Sequence, residues 1–239
     1  MLEHITIEPE TPADASLIWL HGLGADGHDF EPIVPELGLP DIAIRYIFPH
    51  APIRPVSINN GDEMRAWYDF QFHSERGSSD DVQASADQIR LIIDQQLDAG
   101  IQSHRIILAG FSQGGVIALH TALRLQHRLA GVIAISTYLH DPQGLETERH
   151  DENLALPIFM GHGQGDPMIP IMRAATAREN LIRGDAPRGE TQRRTAGAAS
   201  ATARRRWEGR EGGGIGGQRR FRRDRKSTRL NSSHSERSR

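Results

Sequence analysis

Six short segments, "HITIEP", "SLIWLHG", "IAIRYIF", "RIILAGF", "AGVIAIS" and "LPIFMGH", are rich in Ile, Leu and Val and end at Gly, Pro or a charged residue. A strand with one wet face alternates apolar and polar residues, so a run without alternation must be covered on both faces. Several of the six lack alternation, which is how strands inside a largely parallel sheet read. Parallel neighbours need crossover connections, usually helices, and the sequence supplies them. Residues 79–99 carry Val82, Ala86, Ile89, Ile93 and Leu97 on one face at helical spacing. Ser79 or Asp80 can cap the start of this helix, and Gly100 sits just past its end. Residues 113–127 and 171–183 read as two more helices. Strands alternating with helices predict an α/β fold with a mostly parallel central sheet flanked by helices.

The charge divides the chain in two. Residues 1–183 hold 12 Arg and 25 acidic residues, a net of −13, whereas 184–239 hold 15 Arg, Lys226 and 6 acidic residues, a net of +10. Of those last 56 residues only Ile215, Phe221 and Leu230 are Leu, Ile, Val or Phe, too few to build a core. The expectation is a folded domain over 1–183 and an Arg/Gly-rich disordered tail over 184–239. There are no cysteines, which removes disulfides, thiolate metal sites and a cysteine nucleophile. No stretch reaches the roughly 18 apolar residues of a membrane span, and the acidic start has no signal pattern, so a cytoplasmic protein is expected. Residues 49–77 stand apart, with three prolines, an Asn-Asn-Gly turn signal and a cluster of Met64, Trp67, Tyr68, Phe70 and Phe72. A long loop of this kind is either functional or a surface excursion tucked onto the core.

One strand runs straight into a motif. In "ILAGFSQGGVIALH" a strand meets G-x-S-x-G and leaves as a helix, the pattern of a nucleophile elbow. A serine at such a turn needs small residues two before and two after it so that strand and helix can cross closely. Gly110 and Gly114 provide them, and Gly115 adds room. The helix start behind Ser112 offers unpaired N–H groups and partial positive charge to a developing oxyanion.

An upstream loop supports two readings. Gly22, Gly24 and Gly27 in "HGLGADG" fit the dinucleotide fingerprint G-x-G-x-x-G. That fingerprint requires a long helix and an acidic residue at the end of the next strand. Here Pro32 and Pro35 interrupt the helix, and the strand ends "IFPH". The better reading is an HG-type loop after an early strand, whose Leu23 N–H joins the N–H of Gln113 as a second oxyanion donor.

Together, "LIWLHGLGADGHDF", "FPHAPIRPVSINNGDEMRAWYDF", "ILAGFSQGGVIALH" and "LPIFMGHGQGDPMIP" resemble the phospholipase/carboxylesterase family of α/β-hydrolases, which includes small bacterial carboxylesterases and acyl-protein thioesterases. The resemblance runs from about residue 4 to 183. It implies an α/β-hydrolase fold with little or no cap and a serine carboxylesterase acting on short- to medium-chain acyl esters, or thioesters, through an acyl-enzyme. It makes Ser112 the nucleophile, Asp166 the triad acid, and Leu23 and Gln113 the oxyanion donors, and it gives His21 and His162 structural positions. Asp166 also stands on its own residues, in a Gly-rich loop after a buried strand and in the chain order Ser then Asp; Asp141 is the weaker candidate for that role. Met64, Trp67, Met168 and Ile169 are candidates for an apolar acyl pocket, with core packing as the alternative. No cofactor is implied. No metal is expected, since His28, His50, His73, His104, His120, His127, His140 and His150 show no tight ligand spacing with carboxylates.

The triad His is expected about thirty residues after the Asp, following one more strand and preceding a last helix. That window reads "RGETQRRTAGAASATARRRWEG", with no His and no strand or amphipathic-helix pattern. His234 is the only later histidine and a remote candidate. The C-terminal strand and helix are therefore expected to be missing, and 184–239 to be the product of a frameshift or read-through; the alternative is a native polyanion-binding extension. Loss of a triad His costs on the order of 10⁶ in kcat, so the chain as written would be nearly inactive. The expected partner is a small-molecule ester, with no nucleic acid bound by the folded domain. The rival functions are a non-catalytic α/β-hydrolase-fold binder and a polyanion binder acting through the basic tail.

Overall fold

The structure, a computed structural model, describes residues 1–39, 42–70 and 78–183. The readings that concern 184–239, His234 included, and the part of the 49–77 loop that holds Phe72 and His73 lie outside these residues. All six strand segments form one sheet. In chain order its strands are β1 (His4–Ile7), β2 (Ala15–Leu20), β3 (Ile44–Pro49), then, after a small hairpin β4 (Ile53–Pro55) and β5 (Glu63–Arg65), β6 (Ile106–Phe111), β7 (Gly131–Ile135) and β8 (Ile158–Gly161). Their spatial order is β1-β3-β2-β6-β7-β8. β1 runs antiparallel to β3, and the other pairs are parallel.

The absence of alternation in β2 has a direct cause. Ile18 and Leu20 enter the core under the helices, while Leu17 and Trp19 enter a second core on the opposite face. The first core is covered by α1 (Ser79–Asp98) and α2 (Gln113–Arg124). Val82, Ala86, Ile89 and Ile93 of α1 are buried as their spacing requires, and Leu97 is partly buried. The cap of α1 is Ser78, whose side chain accepts from the Asp81 N–H, one residue before the expected Ser79 or Asp80. Gly100 ends the helix at φ 89°, with the Ile101 N–H returning to the Gln96 carbonyl. The second core is roofed by 3₁₀ turns over Gly27–Asp29 and Glu31–Leu37, and Phe30 stacks on Trp19 with ring centroids 4.9 Å apart. Pro35 lies within the second of these turns, so no α-helix follows the glycines of "HGLGADG" and the dinucleotide fingerprint lacks its structural context.

Several features escaped the sequence reading. The two short strands β4 and β5 within 49–70 were not read, although the Asn-Asn-Gly signal between them marks their turn, with Asn60 and Gly61 at φ 57° and 83°. A short helix α3 (Pro142–Glu148) follows β7. The last described helix, α4 (Ile171–Arg183), occupies the expected residues.

The backbones of β6 and α2 come into direct contact. A Cβ on Gly110 would stand 2.3 Å from the Gly114 carbonyl oxygen, and one on Gly114 would stand 2.4 Å from that of Leu20. These are backbone obstacles that no rotamer change relieves. Gly110→Ala and Gly114→Ala should each lose roughly 2–3 kcal/mol or more of stability, the usual cost of overpacking, read as a lower urea midpoint. Gly163→Ala, whose Cβ meets nothing within 4 Å, should leave the midpoint unchanged.

Candidate active site

Ser112 joins β6 to α2 at φ 54° and ψ −118°, a backbone state that costs a non-glycine residue of order 1–3 kcal/mol. Its main chain is tied down on every side. The N–H donates to the Ile135 carbonyl at 2.9 Å, and the carbonyl accepts from Gly115 N–H at 3.0 Å, Val116 N–H at 3.2 Å and the Thr137 hydroxyl at 2.8 Å. Packing of Gly115 against Thr137 leaves no space for a Cβ there, since one would fall 2.7 Å from Thr137. Gln113 and Gly114 supply the first-turn amides of α2, which have no carbonyl four residues back to bond.

The loop after β2 lies against this turn. A Cβ on Gly22 would be 3.5 Å from the Ser112 Cβ and 3.0 Å from the Phe111 ring. The chain reverses over 22–25, with the Ala25 N–H on the Gly22 carbonyl at 3.3 Å and Gly24 at φ 74°, and the Gly24 N–H is held by the Arg65 carbonyl at 2.9 Å. Leu23, half-buried, sits inside this turn. The structure thus brings the segments of Leu23 and Gln113 together beside Ser112.

His21 underpins the loop. It is fully buried, its Nδ1 lies 2.7 Å from the Gly22 carbonyl, and its Nε2 accepts the Ala51 N–H at 3.0 Å. Those partners fix a neutral ring with the proton on Nδ1. Burial lowers its pKa, chiefly by penalising the charged form. The Gln113 side chain is also buried rather than exposed to substrate: its Oε1 accepts the Trp67 N–H at 3.1 Å, and its Nε2 donates to the Tyr68 carbonyl at 3.0 Å.

Asp166 follows β8, two strands from Ser112. Its Oδ1 accepts the Met168 and Ile169 N–H groups at 2.9 and 3.0 Å. These bonds, the Ile169 amide first, hold its pKa below the ordinary carboxylate value. His162 Nε2 lies 3.7 Å from Asp166 Oδ2 and donates to the Ile169 carbonyl at 2.8 Å, so this ring belongs to the loop's own bonding. Asp141 stands at the N-terminus of α3. Ser136, at φ 46°, and Thr137 are the polar residues the sequence reading missed; only their place directly after a strand could have flagged them.

Of the acyl-pocket candidates, Met168 is 74% exposed, Met64 is half-buried beside Gly24, and Ile169 is buried. Trp67 is a correction. It is 0% exposed and sits in the core beneath the helices with its indole N–H on the His21 carbonyl, so it takes the core-packing alternative.

The sequence model of the phospholipase/carboxylesterase family matches residues 2–200. Acyl-protein thioesterase 1 of Cryptococcus neoformans is 35% identical over 173 residues, 70% of this chain and 73% of the relative. The Saccharomyces cerevisiae acyl-protein thioesterase 1 is 34% identical over 175 residues, 70% of this chain and 77% of the relative. Among solved structures, Arabidopsis thaliana SOBER1 superposes with a TM-score of 0.67 at 28% identity, covering 72% of this chain and 84% of that one. Zea mays acyl-protein thioesterase 2 shares the fold with a TM-score of 0.67 at 24% identity, covering 77% and 86%. Among the described residues no helix is long and apolar enough to cross a membrane.

The Asp166 environment makes a pH prediction. A carboxyl with a depressed folded pKa binds its proton more readily in the unfolded chain. It therefore stabilises above the unfolded value near 3.9, and that stabilisation drains away as pH falls through the folded value. Asp166→Asn should flatten the acid limb of stability against pH below about 4, measured by urea unfolding at stepped pH; an unchanged limb would mean the carboxylate is not held by these amides.

Proposed function

Since the chain belongs to the phospholipase/carboxylesterase family and is by lineage a hydrolase of ester or thioester bonds, we propose that Ser112 is its nucleophile and that it acts on short- to medium-chain acyl esters. The single observation that carries this reading is the φ of 54° at Ser112, a strained serine held between two backbones that touch. Strain of this kind persists only where surrounding contacts enforce it, and it collects at reacting groups.

In the proposed reaction Ser112 Oγ attacks the acyl carbonyl carbon while its proton passes to a base. The carbonyl oxygen takes the negative charge between the N–H groups of Leu23 and Gln113. As the tetrahedral adduct collapses, the bond to the alcohol or thiol breaks and the proton goes to the leaving group. Water then attacks the acyl-enzyme, releases the acid and restores Ser112. Asp166 is assigned to hold the base in its working tautomer, for which its ionised state suits it. The only histidine after Asp166 in the chain is His234, so the proposed chemistry is slow unless an imidazole is supplied. A cytoplasmic setting accords with a chain that has no cysteine.

The test is p-nitrophenyl butyrate turnover by the full chain and by Ser112→Ala, with and without added imidazole. The expected result is weak turnover that imidazole raises in the wild type more than in Ser112→Ala. Turnover identical in the two proteins under both conditions would overturn Ser112 as nucleophile and leave a pocket that binds without reacting.

A further inference from the structure

We propose that Trp67 is a positioning residue that sets the spacing of the two oxyanion donors, through a buried bridge running from the Gln113 side chain to the His21 carbonyl. This rests on the reading of the Leu23 and Gln113 N–H groups as those donors.

The bridge can be followed atom by atom. Gln113 contributes its main-chain N–H on the reacting side, while its carboxamide turns inward. The Oε1 accepts the Trp67 N–H at 3.1 Å. The Trp67 indole N–H donates to the His21 carbonyl at 2.8 Å. Two residues on from that carbonyl is Leu23. A continuous path of two hydrogen bonds and one rigid ring system thus joins one donor to the other without crossing the site. β2 ends at Leu20, so the His21 carbonyl lies past the last paired residue of its strand and takes its partner from the indole instead.

Further bonds hold the bridge in place. Gln113 Nε2 donates to the Tyr68 carbonyl at 3.0 Å, and the Ser85 hydroxyl of α1 donates to the Trp67 carbonyl. Trp67 and His21 are both 0% exposed and Gln113 is 5% exposed. Buried polar groups without partners are costly, so each member has a strong preference for this one arrangement. The His21 ring, 5.3 Å from the Trp67 ring, completes the frame through its bonds to the Gly22 carbonyl and the Ala51 N–H. A third contact confirms how little slack exists, because a Cβ on Gly114 would lie 2.5 Å from the His21 carbonyl oxygen. An oxyanion donor displaced by a fraction of an ångström loses most of its effect. The function of the bridge is therefore to carry the precision of the elbow across to the neighbouring loop.

The experiment compares the full-length wild type with Trp67→Phe, which removes the indole N–H, and Gln113→Met, which removes the carboxamide but keeps the main-chain N–H. A stability control is Leu17→Ala, in the core on the opposite sheet face. Two readouts are taken. The first is the rate of Ser112 phosphonylation by a fluorophosphonate with imidazole present, per folded molecule. The second is amide hydrogen exchange at Ala25, Ala51 and residue 67. Both bridge variants should slow phosphonylation by about tenfold or more, since loss of one oxyanion donor costs on the order of 10²–10³. The double variant should be little worse than the slower single, because the two residues act in one path. Exchange should quicken at Ala25 and Ala51 in Trp67→Phe and not in Leu17→Ala. The bridge is refuted if the variants lose stability only, with phosphonylation and Ala25 exchange matching the Leu17→Ala control. A wild type that is not phosphonylated at all would instead sink the nucleophile reading, and the exchange arm would still decide whether the bridge exists.

Discussion

The crossing of β6 and α2 at Gly110 and Gly114 is the constraint from which the rest of the site follows. With no side chain on either glycine, the helix backbone comes against the strand backbone and against the end of β2. Ser112 is left in the only residue position between them and cannot relax, because its own N–H and carbonyl are committed to Ile135, Gly115 and Val116. These two glycines thus convert an ordinary strand-to-helix turn into a fixed mounting for one hydroxyl. The helix start that results from the same crossing faces its unpaired amides and partial positive charge to the same region.

Sheet order then decides what stands next to that hydroxyl. β6 lies between β2 and β7, with β8 beyond. Register pairs Leu20 with Gly110, Phe111 with Ile135, and Ile135 with Gly161. The residues just past these strand ends are His21, Ser112, Ser136 and His162, a row along one edge of the sheet. Parallel pairing places all four strand ends on the same side, so four loops far apart in sequence converge without any of them being long. Asp166 lies in the loop after β8, and the two main-chain amides that fix its carboxylate, Met168 and Ile169, come from that same loop.

What the sequence disclosed divides along the same physical line. Strands covered on both faces must be apolar throughout, so an inner strand such as β2 could be read this way, whereas the edge strand β1, with His4 and Thr6 exposed, could be read only from its isoleucines and the Pro9 that bounds it; the glycines of the elbow could be read because backbone contact admits no other residue. The strands of the β4–β5 hairpin could not: they have three residues each, Pro55 and Glu63 sit in them, and neither strand buries an apolar face. The cap of α1 was misplaced by one residue because Ser78, Ser79 and Asp80 are all competent caps, and only geometry selects Ser78. The side-chain role of Gln113 was illegible for a different reason. Its bonds reach Trp67 and Tyr68, 46 and 45 positions away, and a Gln after a serine looks the same whether its carboxamide faces solvent or the core.

The 49–70 segment answers its own puzzle in these terms. Read as a sequence it was either functional or an excursion packed on the core, and its packing is what connects it to function. Ala51 offers its N–H to His21, Arg65 offers its carbonyl to Gly24, and Trp67 offers its indole to the His21 carbonyl. Each bond is made to the loop after β2, where Gly22 and Gly24 have no side chains with which to hold the turn. Where this loop lies against Ser112 it has no room for a side chain, since even a methyl at Gly22 would press on the Phe111 ring. Its rigidity has to be imported, and a proline-rich segment with a buried tryptophan can supply it at low entropic cost, because proline restricts the unfolded chain and the indole has few rotamers to lose. From the end of β3 the segment runs past this loop to the carboxamide of Gln113, which bonds Trp67 and Tyr68.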